Sequence, residues 1–247
     1  MSLEVIPVRG LPEIGEGDPV GELIARVATI EPRDAVVVSQ KVVSKAEGRV
    51  RRLAEVRPGE QARELAATLG KDPAIVQAVL DESRSVVRAQ DGVLITETKS
   101  GWICANAGID ASNVPEEESV TLLPADPDRS ARAIRTEIGA VAGRAPGVVI
   151  SDSFGRPWRL GQADVAIGCA GLAPLEDWRG RADRSGRELA ATVIATADEV
   201  AAAASLVRDK DAGMPAAIVR GLGARISDSD GPGAVALQRP RPDDLFR

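Results

Sequence analysis

The sequence predicts an α+β, mixed α/β fold built on a mixed sheet. Short β-branched apolar runs alternate along the chain with longer segments of helical periodicity. Two of those segments open on Asp-Pro, a capping residue followed by a proline suited to the first helical turn. Composition bounds the class: hydrophobic residues are 44% and charged residues 28% of 247, near the globular average. No apolar run approaches the ~20 residues that a bilayer span needs.

Residues 5–8 form the first strand candidate, and Asp18-Pro19 opens a helix running to about Thr29. Residues 35–43 are a β-branched run, expected as one buried strand. Residues 61–69 read as helical, and Asp72-Pro73 opens another helix to about Ser83. Residues 93–98, 102–105 and 120–123 read as strands, 130–142 as a helix, and 148–150 as an apolar strand ending in Ser-Asp-Ser. Residues 163–168 add a further strand. The longest helix is expected over 187–207, where Leu189, Val193, Val200 and Val207 lie near one stripe. Residues 216–219 form a late strand before a tail rich in Gly, Ser and Asp. There is no internal repeat and no low-complexity linker, so residues 1–247 read as one domain. A subdomain boundary would fall at residues 116–118 or after Pro124.

The chain has no histidine, which excludes a Ser-His-Asp or Cys-His triad, an HExxH zinc site and His-ligated iron. Any metal must rest on oxygen ligands, which suits Mg²⁺ or Mn²⁺. Cys104 and Cys169 are too few and too far apart for a disulfide framework or a zinc cluster. A net charge of −6, 2% aromatic residues and no tyrosine argue against nucleic acid as a partner. The first residues lack the basic and apolar segments of a signal peptide, so the expected location is the cytoplasm, with no membrane association.

No Walker A motif and no Rossmann fingerprint is present; residues 92–100 resemble a phosphate loop only superficially, without its second glycine. Three segments carry groups suited to a cation–phosphate site. Residues 106–113 place two amides, a carboxylate and a hydroxyl around a Gly-bearing turn after a strand. Residues 150–159 place Asp152 and flanking hydroxyls at the end of an apolar strand, with Arg156 and Arg159 following. Residues 39–49 run from a strand into a cationic turn holding Lys41 and Lys45. Carboxylate oxygens serve the cation and cationic side chains the anion. Taken singly, each Asp is more often an Asx-turn or a helix cap, and the basic turn equally suits a solvated strand end. Asp228-Ser-Asp230-Gly231 lacks the other ligands of a calcium loop and reads as a surface turn. Trp102 and Trp178 read as core or interface, whereas Trp158, beside Phe154 and Arg159, is placed to face a planar ligand.

Together these segments resemble the coenzyme F420:L-glutamate ligases, also called F420-0 γ-glutamyl ligases. The matching stretches are 3–13, 36–49, 106–113, 148–159 with 161–164, 197–221, and the ending 243–246. The resemblance implies an intertwined mixed-sheet fold, a homodimer, and a GTP-dependent ligase that adds L-glutamate to F420-0 and then, by γ-linkage, to F420-1. An acyl-phosphate intermediate is implied, with GDP and phosphate released, assisted by two divalent cations (Mg²⁺ or Mn²⁺) and with K⁺ as a further candidate. Carried over by position, Leu11, Pro12, Glu13 and Ile14 form a nucleotide-binding turn, and Gln40, Lys45 and Asn113 contact GTP. Asp110 and Asp152 share the first cation and carry the catalysis, and Ser153 binds the second. Lys210, Asp211 and Gly213 fall in a further nucleotide loop, although that loop is not a close match.

Gln40 stands where relatives often carry Ser. Some bacterial relatives continue into a nitroreductase-like domain, and this sequence stops at Arg247, where that domain would begin. Two alternatives share the same residues: a GTP-dependent acid–amine ligase acting on another phosphorylated acid, and a non-catalytic nucleotide-binding module. Carboxylates crowded around one point repel each other, which a module without a cation has no use for.

Overall fold

The alternation of apolar runs and helical segments resolves into one five-stranded sheet with helices on both faces. A computed structural model of the chain describes residues 2–110, 118–209 and 213–246. In chain order the first half holds β1 (Glu4–Pro7), α1 (Val20–Val27), β2 (Ala35–Ser39), α2 (Gln40–Ala46), β3 (Val50–Arg52), α3 (Glu60–Leu69), α4 (Pro73–Asp81), β4 (Ser83–Gln90), β5 (Val93–Thr98) and β6 (Ile103–Ala105). The second half holds β7 (Ser119–Thr121), α5 (Pro127–Ala142), β8 (Gly147–Arg156), β9 (Arg159–Ala170), β10 (Glu176–Asp177), β11 (Val193–Ile194), α6 (Thr196–Ser205) and β12 (Ala216–Arg220).

The main sheet runs β1-β12-β2-β8-β9, antiparallel except for the parallel β2–β8 pair. Successive strand side chains point to opposite faces, and the cores follow that parity. Val36, Val38, Val148, Ile150 and Ile218 pack with α1 and α5. Ala35, Val37, Val149, Ala217 and Val219 pack with α6 on the other face. Burial on both faces explains why these strands read as unbroken apolar runs. The approach of α5 to the sheet depends on Gly168, where an added Cβ would lie 2.3 Å from the carbonyl oxygen of Pro127. A third core joins α3 and α4 to the β4-β5-β6 meander through Ala62, Val76, Val79 and Leu94.

Several boundaries differ from the sequence reading. The expected strand over residues 35–43 ends at Ser39, where α2 begins, so Lys41 and Lys45 lie one helical turn apart. Val42 and Val43 are buried in the core from that helix, which is why they read as strand. β8 runs past Ile150 to Arg156 because its polar end pairs with β9. The expected helix over 187–207 is only α6, and the longest helix is α5, capped by Asp126 accepting from the Arg129 N–H at 3.0 Å. The apolar side of α6 is buried against its own sheet through Ala197, Val200, Ala201 and Ala204, so it offers no open face to a second copy. Asp18 does not cap α1; its carboxylate accepts from Gly15 N–H at 2.8 Å. Strands β3, β4 and β10 are additional to the elements expected from sequence.

The Asp-rich tail turn is anchored rather than free. Buried Arg135 donates to Asp230 Oδ1 at 2.8 Å and to the carbonyl oxygens of Ser227, Asp228 and Pro146. Trp158 sits in the tight turn between β8 and β9, highly exposed, with its ring centroid 4.9 Å from that of Phe246.

Candidate functional site

The ends of the main-sheet strands converge on one side. β2 and β8 run parallel, with Ser39 beside Ser151, so β2 ends where the polar half of β8 begins. β1 and β12 are antiparallel, and Val8 N–H donates to Ala216 O, so the loop after β1 and the entry to β12 reach the same edge. Ser39 N–H donates to Pro215 O at 2.8 Å and ties the two loops there. Carboxyl ends of parallel strands are where open α/β sheets place ligands. A cleft of about 1230 Å³ opens at this edge.

Of the residues singled out from sequence, the cleft is lined by Leu11, Pro12, Glu13, Ile14, Lys45, Asp110, Asp152, Ser153 and Gly213. Gln40 is not among them. It is buried at the start of α2, where its Oε1 accepts from Ser44 Oγ at 2.9 Å and its Nε2 has no partner. Asn113, Lys210 and Asp211 lie outside the described residues. Trp158 does not line the cleft. The sequence reading assigned no individual role to Ser39, Lys41, Ser151, Asp164 and Arg208, which also line it.

Asp110 is delivered by an unusual turn. Asn106, Ala107 and Gly108 all have left-handed backbone angles, at φ of 52°, 53° and 70°. Left-handed residues other than glycine are costly and persist only where surroundings enforce them. Here Ala107 is buried, and a Cβ on Gly108 would lie 2.6 Å from Leu123 Cγ. The chain leaves the turn into paired backbone bonds between Asp110 and Thr121, which hold Asp110 at the end of β7.

The helical offset of Lys41 and Lys45 turns both ammonium groups into the cleft. Lys41 Nζ lies 2.7 Å from Asp110 Oδ2, and Lys45 Nζ lies 2.5 Å from Glu13 Oε1. On β8, strand parity separates Asp152 from its neighbours Ser151 and Ser153. Burial pushes the Asp152 carboxyl up to about 6, with the negative charges of Asp164 and Asp110 adding to the rise; the Ser153 N–H and the Lys41 ammonium oppose it. Burial, with the nearby Asp152 charge, likewise pushes the Cys104 thiol up to about 12, so it stays an inert thiol. On the other side of the strand, Ser151 and Ser153 face Asp164, which Arg208 pairs at 2.5 Å.

The donor set suits a hard divalent cation. Asp110 and Asp152 offer carboxylates within electrostatic reach of each other, and Ser153 offers a hydroxyl. Lys41 offsets part of the Asp110 charge, and burial is the main reason Asp152 resists ionisation. Among the described residues, no group of three or more His, Cys, Asp or Glu side chains is arranged to hold a metal ion. A cation here therefore needs oxygens from hydroxyl, water or a bound anion to complete its shell.

The sequence model of the F420-0:Gamma-glutamyl ligase family matches residues 10–221, from the loop after β1 through β12. The chain belongs to this family. A coenzyme F420:L-glutamate ligase of Methanothermobacter thermautotrophicus is 43% identical, with all of both chains covered. One from Archaeoglobus fulgidus is 49% identical over 90% of this chain and 89% of its own, and one from Haloarcula marismortui 48% identical over 88% and 87%. The part of the chain matched by the ligase family encloses every cleft residue named above. Among the described residues no helix is long and apolar enough to cross a membrane.

Proposed function

We propose that this chain joins L-glutamate to F420-0, and then by γ-linkage to F420-1, at the expense of GTP. Glutamate ligation in coenzyme F420 biosynthesis follows from the family and from the names its relatives carry. The nucleotide and the route are the finer reading. The observation that carries them is one cleft lined by Lys41 and Lys45 together with Asp110 and Asp152. Cationic side chains that hold phosphates, beside carboxylates that hold a cation, are the parts phosphoryl transfer needs, and none of them is a histidine.

In this reading a substrate carboxylate oxygen attacks the γ-phosphorus of GTP, the bond to the bridging oxygen breaks, and GDP leaves. The glutamate amine then attacks the acyl carbon, phosphate departs, and the amine loses a proton to give the amide. Lys45 neutralises phosphate charge from its place beside the turn formed by Leu11, Pro12, Glu13 and Ile14. Asp110 and Asp152 would hold one Mg²⁺ or Mn²⁺ and Ser153 a second, with K⁺ as a further candidate. Bound there, a divalent ion supplies positive charge against the transferring phosphoryl oxygens. Gly213 and, beyond the described residues, Asn113, Lys210 and Asp211 are assigned to nucleotide contact.

A homodimer is part of the same reading. Exposed Trp158, Leu160 and Phe246 form an apolar patch at the β8–β9 tip, the kind of surface that association covers. The test of function is incubation with F420-0, GTP, Mn²⁺ and L-glutamate, with products read by mass and GDP counted per glutamate added. A +1 glutamate product formed only with GTP supports the reading. GTP turnover indifferent to F420-0, or a product formed equally with ATP alone, overturns it.

A further inference from the structure

On the face of β8 opposite Asp152, one carboxylate gathers two hydroxyls and a guanidinium. Asp164 sits directly across from Ser153 in the β8–β9 register. Its Oδ1 accepts from Ser153 Oγ at 2.6 Å, and its Oδ2 from Ser151 Oγ at 3.0 Å. Arg208 Nη2 donates to the same Oδ2 at 2.5 Å and to Ser151 Oγ at 2.8 Å. Ser151 and Arg208 are buried, and the Arg208 Nε has no partner. The bonds therefore converge on Asp164, which alone touches all three other groups.

A serine hydroxyl has one proton and two lone pairs, and it rotates to suit its surroundings. At 2.6 Å from a carboxylate oxygen, the Ser153 proton has one destination, Asp164. Its lone pairs are then left to face the cleft. Without Asp164 the hydroxyl would spend part of its time with the proton turned toward any positive charge there, which repels it. The guanidinium of Arg208 balances the charge of Asp164 and engages its second oxygen. A carboxylate left unpaired there would itself be drawn onto the cation.

We propose that Asp164 is a positioning residue, braced by Arg208, that orients the Ser153 hydroxyl so that its lone pairs serve a divalent cation. The assignment rests on the reading of Ser153 as a cation ligand. Partners that orient a metal ligand are commonly worth about 10- to 100-fold in metal affinity.

The experiment is a cycle of full-length proteins, wild type, Ser153→Ala, Asp164→Asn and the double variant. Each is titrated with Mn²⁺ alone while the free aquo ion is followed by electron paramagnetic resonance, and melting curves are recorded in EDTA. Each single variant should weaken Mn²⁺ binding roughly 10- to 100-fold. The double variant should bind no more weakly than Ser153→Ala, because Asp164 acts through that hydroxyl. Weakening by Ser153→Ala with wild-type affinity in Asp164→Asn overturns the positioning role and leaves the cation reading standing. Losses that multiply in the double variant overturn it too, since Asp164 would then act by another route. Unchanged affinity in Ser153→Ala, or no binding by the wild type, removes the cation reading and this proposal with it. If Asp164→Asn has no melting transition, Asp164→Glu keeps the charge facing Arg208 but displaces the oxygens by one methylene. It should also lose affinity, and wild-type affinity in that protein overturns the proposal.

Discussion

Removing the charge of Asp152 should stabilise the metal-free protein while abolishing its reaction. Burial raises this carboxyl from 3.8 to about 6, about two units, or up to ~3 kcal/mol at 1.36 kcal/mol per unit. The folded state thus holds the proton more tightly than the unfolded chain. Stability falls as pH rises from about 4 to about 6, and the whole deficit remains above that window. Asp152→Asn keeps the shape and an oxygen to accept from Ser153 N–H, which donates to Asp152 Oδ1 at 2.9 Å. In EDTA at pH 8 the variant should melt several degrees higher, since ~1 kcal/mol shifts a domain of this size by roughly 2–4 °C. The gap should close as pH is lowered toward 4, where wild-type Asp152 is itself neutral. Added Mn²⁺ should raise the wild-type transition more than that of the variant, because only the wild type keeps both carboxylates. Thermal melts across pH with EDTA or Mn²⁺, beside glutamylation assays, measure all of this. A variant no more stable than wild type at pH 8, or a gap independent of pH, would refute the electrostatic account. Near-full activity in the variant would return Asp152 to a purely structural role.

Other outcomes follow from other parts of the molecule. Lys45→Ala should weaken GTP binding more than glutamate binding by calorimetry; unchanged GTP affinity would leave Lys45 as only the ion-pair partner of Glu13. Light scattering at micromolar concentration should give about twice 25.8 kDa, and Trp158→Ser with Leu160→Ser should lower it; a monomeric wild type refutes the dimer. Gly168→Ala, whose Cβ would press on Pro127 O at 2.3 Å, should cost ~1–3 kcal/mol in urea unfolding by forcing α5 off the sheet. An unfolding midpoint equal to wild type would show that the contact relaxes freely.

The main strands were legible where both faces are buried. Residues 35–38, 148–150 and 216–219 are apolar at every position because helices cover each side of the sheet, and a continuous apolar run survives any choice of parity. The same logic misled at residues 40–43, since Val42 and Val43 face the core from a helix and nothing in their composition marks the change of period. The strand character of the polar end of β8 has no mark in the sequence because Ser151, Asp152 and Ser153 line a cleft, and a strand that faces a cleft lacks the apolar alternation of a core strand. α6 begins only at Thr196 for a related reason: residues 187–194 hold scattered apolar groups, yet they pair back on residues 176–183 instead of continuing the helix.

The site was legible only as fragments. Asp110, Asp152 and Lys45 each stand beside recognisable local chemistry, a turn, a strand end and a basic helix face, and each also suits a cap or a solvated end. Their convergence depends on three long-range pairings: β2 parallel to β8, β12 antiparallel to β2, and Asp110 bridged to Thr121. Asp164 and Arg208 had no local mark, because a carboxylate in one strand and an arginine after a distant helix acquire meaning only when β9 lies against β8. Asp152 and Ser153 adjoin in sequence yet serve opposite sides of the strand, one toward Asp110 and Lys41, the other toward Asp164 and Arg208. One dipeptide therefore presents a carboxylate and a hydroxyl to different partners, because the pleat points the two side chains apart.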